Sequence, residues 1–401
     1  MYVSYIFAYH PATVTDCCDV GRRVTIDMLP DVALLEVFDC YVDQAREEEE
    51  EYGDSLKIQE WHKLVHVCRQ WRTIVLGSPR RLGLRLYCTD KTPVKETLSV
   101  WPNLPIIIRQ YRRITQMENI IVALEHNGRI CQIDLFEVTK SQLEEALAAM
   151  QQPFPALTKL LIWLSNREYR LLADQMPLVI PESFLGGSAP RLQHLNLERI
   201  SFRGLPNLLL SATDLVNLDI SKIPHSGYIS PEAMVRCLST LTRLERLWLG
   251  FESPKSRPVR ETRRRHPPTC SSTLLALTYF RFEGVSEYLE DLVARIDAPL
   301  LNILVIRFFN QLIFDTQQLA QFFVRTPIIQ PPLAVRITFS YRYVEVTFPS
   351  SSPIKFTLEI SCRHTDWQLS SLTEAFSSSF HEVFIPIVEH LYIYSYLRLH
   401  Q

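Results

Sequence analysis

A chain of 401 residues with 47% hydrophobic side chains has room for more than one domain and can bury a sizeable core. Its formal net charge of -2 excludes whole-chain attraction to nucleic acid or anionic lipid, so either partner would need a local patch. Nine cysteines, scattered singly apart from Cys17 and Cys18 and with no Cys-x-x-Cys pair, point away from a disulfide framework or zinc site. Reduced thiols in an intracellular setting, cytoplasmic, nuclear or both, are the expectation.

The first residues, MYVSYIFAYHPATV, carry a short apolar stretch with no basic residue ahead of it, broken by His10 and Pro11. A secretory signal is therefore not expected, and residues 1–24 read as a poorly ordered leader. No uninterrupted apolar run approaches the ~20 residues that span a bilayer, so no membrane association is expected.

Residues 25–80 carry two amphipathic stretches. In LPDVALLEVFDCYVDQ, Pro30 stands where a first-turn proline is tolerated and Asp31 lies near the positive helix end. Leu34, Leu35, Phe38, Tyr41 and Val42 then recur at helical spacing. In KLVHVCRQWRTIV and the residues just before it, Trp61, Leu64, Val65, Cys68, Trp71, Arg72 and Val75 repeat the three-and-four step, and Gly77 and Pro79 are stop signals. Cys68 reads as a small apolar residue on that stripe. Between the halves lies QAREEEEEYGDSLKIQE, residues 44–60, whose run Glu47 to Glu51 repels itself and is expected to form a solvated surface insertion.

Taken together, Leu29-Pro30 at the opening and Cys68-Arg69-Gln70-Trp71-Arg72 near the close resemble the F-box, a three-helix docking module. The likeness covers about the first fifth of the chain. It implies that Leu29, Pro30, Leu34, Leu35, Phe38, Leu64, Val65 and Trp71 form or support a surface for a Skp-family adaptor and, through it, a cullin scaffold. The alternative left open is that the same stripes are plain core.

Residues 81–128, with RRLGLRLYCTD and WPNLPIII, read as a connector and the edge of a second domain. From 129 to 401 a pattern L-x-x-L-x-L, with other apolar residues allowed, recurs. It appears at Ile130-Ile133-Leu135, Leu157-Leu160-Ile162, Leu192-Leu195-Leu197 and Leu215-Leu218-Ile220, then at Leu244-Leu247-Leu249, Leu277-Phe280-Phe282, Leu301-Leu304-Ile306 and Val388-Leu391-Ile393. The steps are 27, 35, 23, 29, 33 and 24 residues, followed by 87. Leucine-rich repeats run about 20 to 29 residues. Short strands at the matches, with helical segments such as SPEAMVRCLSTL and VSEYLEDLVARI between them, give the expected fold class: α/β, a small all-helical F-box followed by an irregular leucine-rich-repeat-like solenoid. The alternative is that short strands of any α/β domain match so loose a pattern.

The second domain also resembles the C-terminal region of F-box proteins from mushroom-forming (basidiomycete) fungi. The carrying segments are FLGGSAPRLQHLNL, PNLLLSATDLVNLDI, IPHSGYISPEAM, GVSEYLEDLVARIDAPLLN and FFNQLIFDTQQLAQFF. After Thr326 the chain departs from that group, and the strand patterns at Val335 to Phe348 and Lys355 to Cys362 read as replacements for missing repeats.

Catalytic motifs are missing. The chain has no G-x-x-x-x-G-K, G-x-G-x-x-G or G-x-S-x-G, and 11 glycines are few for folds that cradle phosphate. His62 and His66 have zinc spacing, but Lys63 stands where a metalloprotease needs its glutamate. His66 and Cys68 do not face each other on a helix, and Glu290 and Asp291 read as exposed helix-face residues. No cofactor, metal or catalytic residue is expected. The basic run Lys255 to His266, flanked by prolines, reads as an exposed loop open to three roles: plain solvated loop, nuclear-import or acidic-partner patch, or nucleic-acid contact, the last without an aromatic platform.

The resemblance implies a substrate-recognition subunit of an SCF-type (Skp-cullin-F-box) ubiquitin ligase, the alternative being a non-degradative interaction scaffold. By period-two alternation, the third, fifth and seventh positions of each repeat project from the sheet. That selects Phe136, Trp163, Arg246, Trp248, Tyr279, Arg281 and Arg307 as substrate-facing, from residue types enriched in binding hot spots. Trp163 and Trp248 are equally suited to covering the sheet beneath a loop or packing against the C-terminal region.

Overall fold

The computed structural model describes residues 26, 29–52, 60–110, 116–165, 178–253, 271–309, 317–326, 334–339, 344–348, 356–360 and 390–395. The chain divides into two compact units, Met1–Leu84 and Arg85–Gln401. It is mixed α/β, with ten α-helices and a large parallel sheet among the described residues.

In the first unit α1 (Asp31–Tyr52), α2 (Glu60–Val65) and α3 (Arg69–Gly77) pack on one another. Leu34, Phe38 and Val42, four residues apart and so on one face of α1, are buried, as are Trp61, Leu64 and Val65 of α2 and Ile74 and Val75 of α3. Phe38 is fully buried, with its ring 4.7 Å from that of Trp71. Emptying such a site costs about 3–5 kcal/mol. Pro30 precedes α1, and its carbonyl accepts from the Ala33 and Leu34 amides at 2.9 and 3.1 Å. Cys68 is exposed rather than packed. It sits in extended conformation before α3, and its Sγ accepts from the Trp71 amide at 3.5 Å, which makes it the helix cap. Arg72 Nε donates to the Val65 carbonyl at 3.0 Å, satisfying an end group of α2.

The second unit is built on nine strands. These are β1 (Leu86–Cys88), β2 (Ile106–Gln110), β3 (Ile130–Val138), β4 (Lys159–Leu164), β5 (His194–Glu198), β6 (Asn217–Ile223), β7 (Arg246–Phe251), β8 (Tyr279–Gly284) and β9 (Ile303–Phe308). They lie side by side in chain order and every neighbouring pair is parallel. Parallel neighbours need a crossover. Helices α4 (Val94–Val100), α5 (Met117–Leu124), α6 (Lys140–Ala149), α7 (Leu205–Ser211), α8 (Pro231–Leu238) and α9 (Ser286–Val293) lie in the crossovers, and α10 (Gln317–Arg325) follows β9. From α4 to α6, and again from α7 to α10, each helix packs on the next.

Seven of the L-x-x-L-x-L matches fall on β3 to β9. Their fourth and sixth positions, such as Leu195 and Leu197 or Phe280 and Phe282, are buried against the helices. The first position, from Leu157 to Leu301, is buried in the turn ahead of each strand. The second position carries the frame. Amides of Thr158, Gln193, Val216, Glu245, Thr278 and Asn302 donate to carbonyls of Cys131, Thr158, Gln193, Val216, Glu245 and Thr278 at 2.8–3.0 Å. At the eighth position Glu137, Arg199 and Lys222 have φ of 53, 62 and 52°; at Glu137 and Lys222 this left-handed residue sits in a bulge, after which Val138 and Ile223 resume pairing with Leu164 and Phe251.

Several expectations are corrected. Residues 81–128 are not a connector: they hold β1, β2, α4 and α5, so the sheet starts two strands before the repeat pattern. Ile106, Ile107 and Ile108 are all fully buried, and a strand covered on both faces shows no alternation to read. Of the last match, Val388 lies outside the described residues, and Leu391 and Ile393 do not pair with β9. Leu391 and Ile393 belong to His390–Ser395, which joins Ala334–Phe339, Val344–Phe348 and Phe356–Ile360 in a four-stranded sheet whose edge strand Phe356–Ile360 lies alongside β9. Its first two strands are separated only by residues 340–343, a link too short for a crossover, and they pair antiparallel. The glutamate run is not a loop, because α1 continues through Tyr52 and glutamate is a good helix former. Residues 53–59, the leader 1–24 and the basic run 255–266 lie outside the described residues.

Glu290 is not on an exposed face either. It is 1% exposed, and its carboxylate accepts from the amides of Gln318 and Leu319 at 2.6 and 2.8 Å, capping α10 from the preceding helix. Glu290→Ala is expected to lower the stability of the second unit by about 2–3 kcal/mol, the scale for losing charge-assisted bonds that leave buried amides unpaired. An unchanged urea midpoint for this variant would show that the cap contributes nothing.

Candidate functional site

The face of the sheet opposite the helices is lined by repeat positions three, five and seven. Register pairing aligns them in rows: Lys159, His194, Asn217, Arg246 and Tyr279 in one, and Leu161, Asn196, Asp219, Trp248 and Arg281 in the next. A groove of about 540 Å³ runs along these rows, bounded by Lys159, Leu161, His194, Asn196, Asn217, Asp219, Arg246, Trp248 and Tyr279.

Three of the seven residues expected on this face, Arg246, Trp248 and Tyr279, line the groove. Their arrangement is set by cross-strand stacking: the Arg246 guanidinium lies 4.3 Å from the Tyr279 ring centre, and that of Arg281 lies 4.1 Å from the Trp248 ring. A Cβ on Gly250 would come within 3.4 Å of Trp248 Nε1, so the glycine leaves room for the indole to lie along the sheet. Phe136 and Trp163 are placed outside the groove, packed edge to face at 4.7 Å, with Trp163 37% exposed. Trp163 is held by its N–H, which donates to Asn196 Oδ1 at 2.8 Å. Arg307 is also outside the groove and lies 3.7 Å from Glu283.

The polar centre of the groove escaped the sequence reading. Asn196 donates to Asp219 at 2.9 Å, and the Asn217 amide lies 2.8 Å from His194 Nδ1. Asp219 Oδ1, Asn217 Oδ1 and Trp248 Nε1 are buried and have no hydrogen-bond partner among the described residues. Burial, with the Glu198 charge adding, pushes the Asp219 carboxyl up to about 7 against the opposing Ser221 and Asn196 hydrogen bonds and the Arg281 charge. Burial, reinforced by Lys159, pushes His194 down and keeps it neutral. The signal available in sequence was position: these residues share repeat positions three and five with Arg246 and Trp248, but lack the size that marks a hot spot.

In the first unit, Leu34, Phe38, Leu64 and Val65 are buried, Leu29, Leu35 and Trp71 are half-buried, and Pro30 is exposed. Burial, with His66 adding, lowers His62 to about 4. Among the described residues no cluster of three or more His, Cys, Asp or Glu could hold a metal, and no helix is long and apolar enough to cross a membrane. No family model matches this chain, and no curated protein does.

The Asp219 shift has a direct consequence for stability. A carboxyl whose folded pKa lies above its unfolded value keeps its stabilising contribution below about 3.8 and loses it as the pH rises through about 7. Asp219→Asn should therefore gain stability relative to the parent by roughly 2–3 kcal/mol between pH 5 and pH 8. Urea unfolding at both pH values checks this, and an equal difference at the two would refute it.

Proposed function

We propose that this chain is the substrate-recognition subunit of an SCF-type ubiquitin ligase. Its N-terminal helical unit, with the Leu29-Pro30 opening and the Trp71-Arg72 close, resembles an F-box and would dock on a Skp-family adaptor bound to a cullin. The leucine-rich-repeat-like second unit would hold a protein target. The chain does no bond chemistry in this reading: it supplies proximity, bringing the target to a ubiquitin-conjugating enzyme carried by the ligase.

One observation carries most of the weight. On β4 to β8, repeat positions three and five stand in register on one open face as Lys159, His194, Asn217, Arg246 and Tyr279 and as Leu161, Asn196, Asp219, Trp248 and Arg281, while the fourth and sixth positions are buried on the other. A sheet face that keeps Arg246, Trp248 and Tyr279 accessible along a groove supports recognition of another protein. Such work belongs in the cytoplasm or nucleus, where ubiquitin ligases of this type operate.

Leu29→Ala combined with Pro30→Ala tests the docking half, because both residues precede α1 and neither belongs to the buried core. The double variant should retain its helical circular dichroism and lose adaptor binding about thirtyfold, the effect of removing roughly 2 kcal/mol. Undiminished co-purification of the adaptor with the folded variant would refute the docking reading.

A further inference from the structure

Lys159, His194, Asn217 and Arg246 are direct register partners on four consecutive parallel strands, β4 to β7. With strands about 4.8 Å apart, the backbones of Lys159 and Arg246 are separated by about 14 Å. Between them stand the neutral His194 and the Asn217 amide, so two cations close the ends of a polar, uncharged stretch. Arg246 is exposed, and no carboxylate pairs with it among the described residues. Lys159 is 3.9 Å from Asp134, whose carboxylate already takes Arg109 at 3.3 Å and the Gln132 amide.

The acids of this face are otherwise engaged. Glu198 is held by Arg199 at 2.9 Å and by Lys222, and Glu283 by Arg307. Asp219 lies in the groove, but burial leaves it only partly ionised at neutral pH. The field over the groove is therefore positive, and its apolar contacts come from Leu161, Trp248 and Tyr279.

We propose that the groove binds an extended acidic peptide segment lying across the strands, with one carboxylate side chain on Lys159 and a second, four residues along, on Arg246. An extended chain advances about 3.3 Å per residue, so four residues cover about 13 Å, and side chains four apart point the same way. The residue midway between the two acids faces His194 and Asn217, and an apolar side chain there would reach Leu161 and Trp248. A phosphate fits less well, because a dianion is held by arginines converging on one point, whereas these cations stand a groove length apart. The inference rests on the reading of this face as the target-recognition surface and names the class of segment it takes.

The test uses the full chain and fluorescence anisotropy with labelled synthetic peptides: one with two glutamates four residues apart flanking a leucine, one with lysines in their place, and one with phosphoserines. The glutamate peptide should bind with a salt-sensitive affinity and the lysine peptide should not. Lys159→Ala should weaken binding about tenfold, close to 1.4 kcal/mol. Arg246→Glu should abolish it, and one of the two peptides carrying a single Glu-to-Lys replacement should recover binding to that variant. Equal binding of the glutamate peptide by Arg246→Glu, tighter binding of the phosphoserine peptide, or no binding at all would overturn the proposal. Adaptor co-purification is scored on the same preparations. Adaptor retained without peptide binding removes the groove assignment alone, whereas peptide bound without adaptor removes the ligase reading and leaves the groove.

Discussion

The second unit depends on one backbone device, the ladder of amide-to-carbonyl bonds at the second position of each repeat. From Cys131 to Asn302 it links every repeat to the next at 2.8–3.0 Å, its donors standing in the turns just ahead of β4 to β9. A strand that slipped by one residue would send its leucines to the open face and its polar residues into the helices. The ladder removes that freedom before the strand begins, so L-x-x-L-x-L has the same meaning on β3 to β9. Crossover length is then free to vary. The 35-residue step from Leu157 to Leu192 accommodates an extra short strand, Val179–Ile180, which pairs in parallel with Ser201–Phe202 of the next step without disturbing the register of β4 on β5. Lengthening a surface connection costs little, since closure entropy grows only with the logarithm of its length.

A fixed register also decides the electrostatics of the open face. Side chains at one repeat position meet across strands about 4.8 Å apart, so charges must be paired, stacked or neutralised by their neighbours in the row. All three solutions occur. Glu198 is paired by Arg199 and Lys222, Arg246 and Arg281 lie over aromatic rings on adjacent strands, and Asp219 takes up a proton near neutrality. The third solution costs stability as the pH rises, and it leaves Asp219 Oδ1 and Asn217 Oδ1 unpaired where a packed protein would have satisfied them. Polar atoms kept unpaired beside a groove are a feature of surfaces shaped for something other than stability.

Alternation made β4 to β9 and the open-face placement of Arg246, Trp248 and Tyr279 legible in the sequence, because a strand with one face buried writes its period into the residue types. It failed where both faces are covered. Ile106 to Ile108 have no period, so β1 and β2 went unseen, and Ile107 sits among open-face positions yet is fully buried. It failed again where a single side chain serves another element. Glu290 looks like a solvated helix acid, and only the path of α10 shows that its carboxylate closes the next helix. Asn196 and Asp219 were hidden because their importance comes from each other and from burial rather than from residue type. Trp163 stood out by type, yet its ring belongs to Phe136 and its N–H to Asn196.

The N-terminal unit poses a related problem of shared residues. Leu34, Phe38, Leu64 and Val65 hold its three helices together, so motif and core coincide there. A loss of binding after truncating any of them reports folding as much as docking. A partner can contact only what the helices leave outside: Pro30 ahead of α1, the accessible parts of Leu29, Leu35 and Trp71, and Val32 and Val37, which are 67% and 51% exposed. Val32 and Val37 are five residues apart, about 140° around α1, so they flank the packed face on opposite sides and form no single stripe. What remains for a partner is the Leu29-Pro30 opening with the accessible edges of Leu35 and Trp71, small areas whose apolar atoms are removed from water only if a second chain covers them.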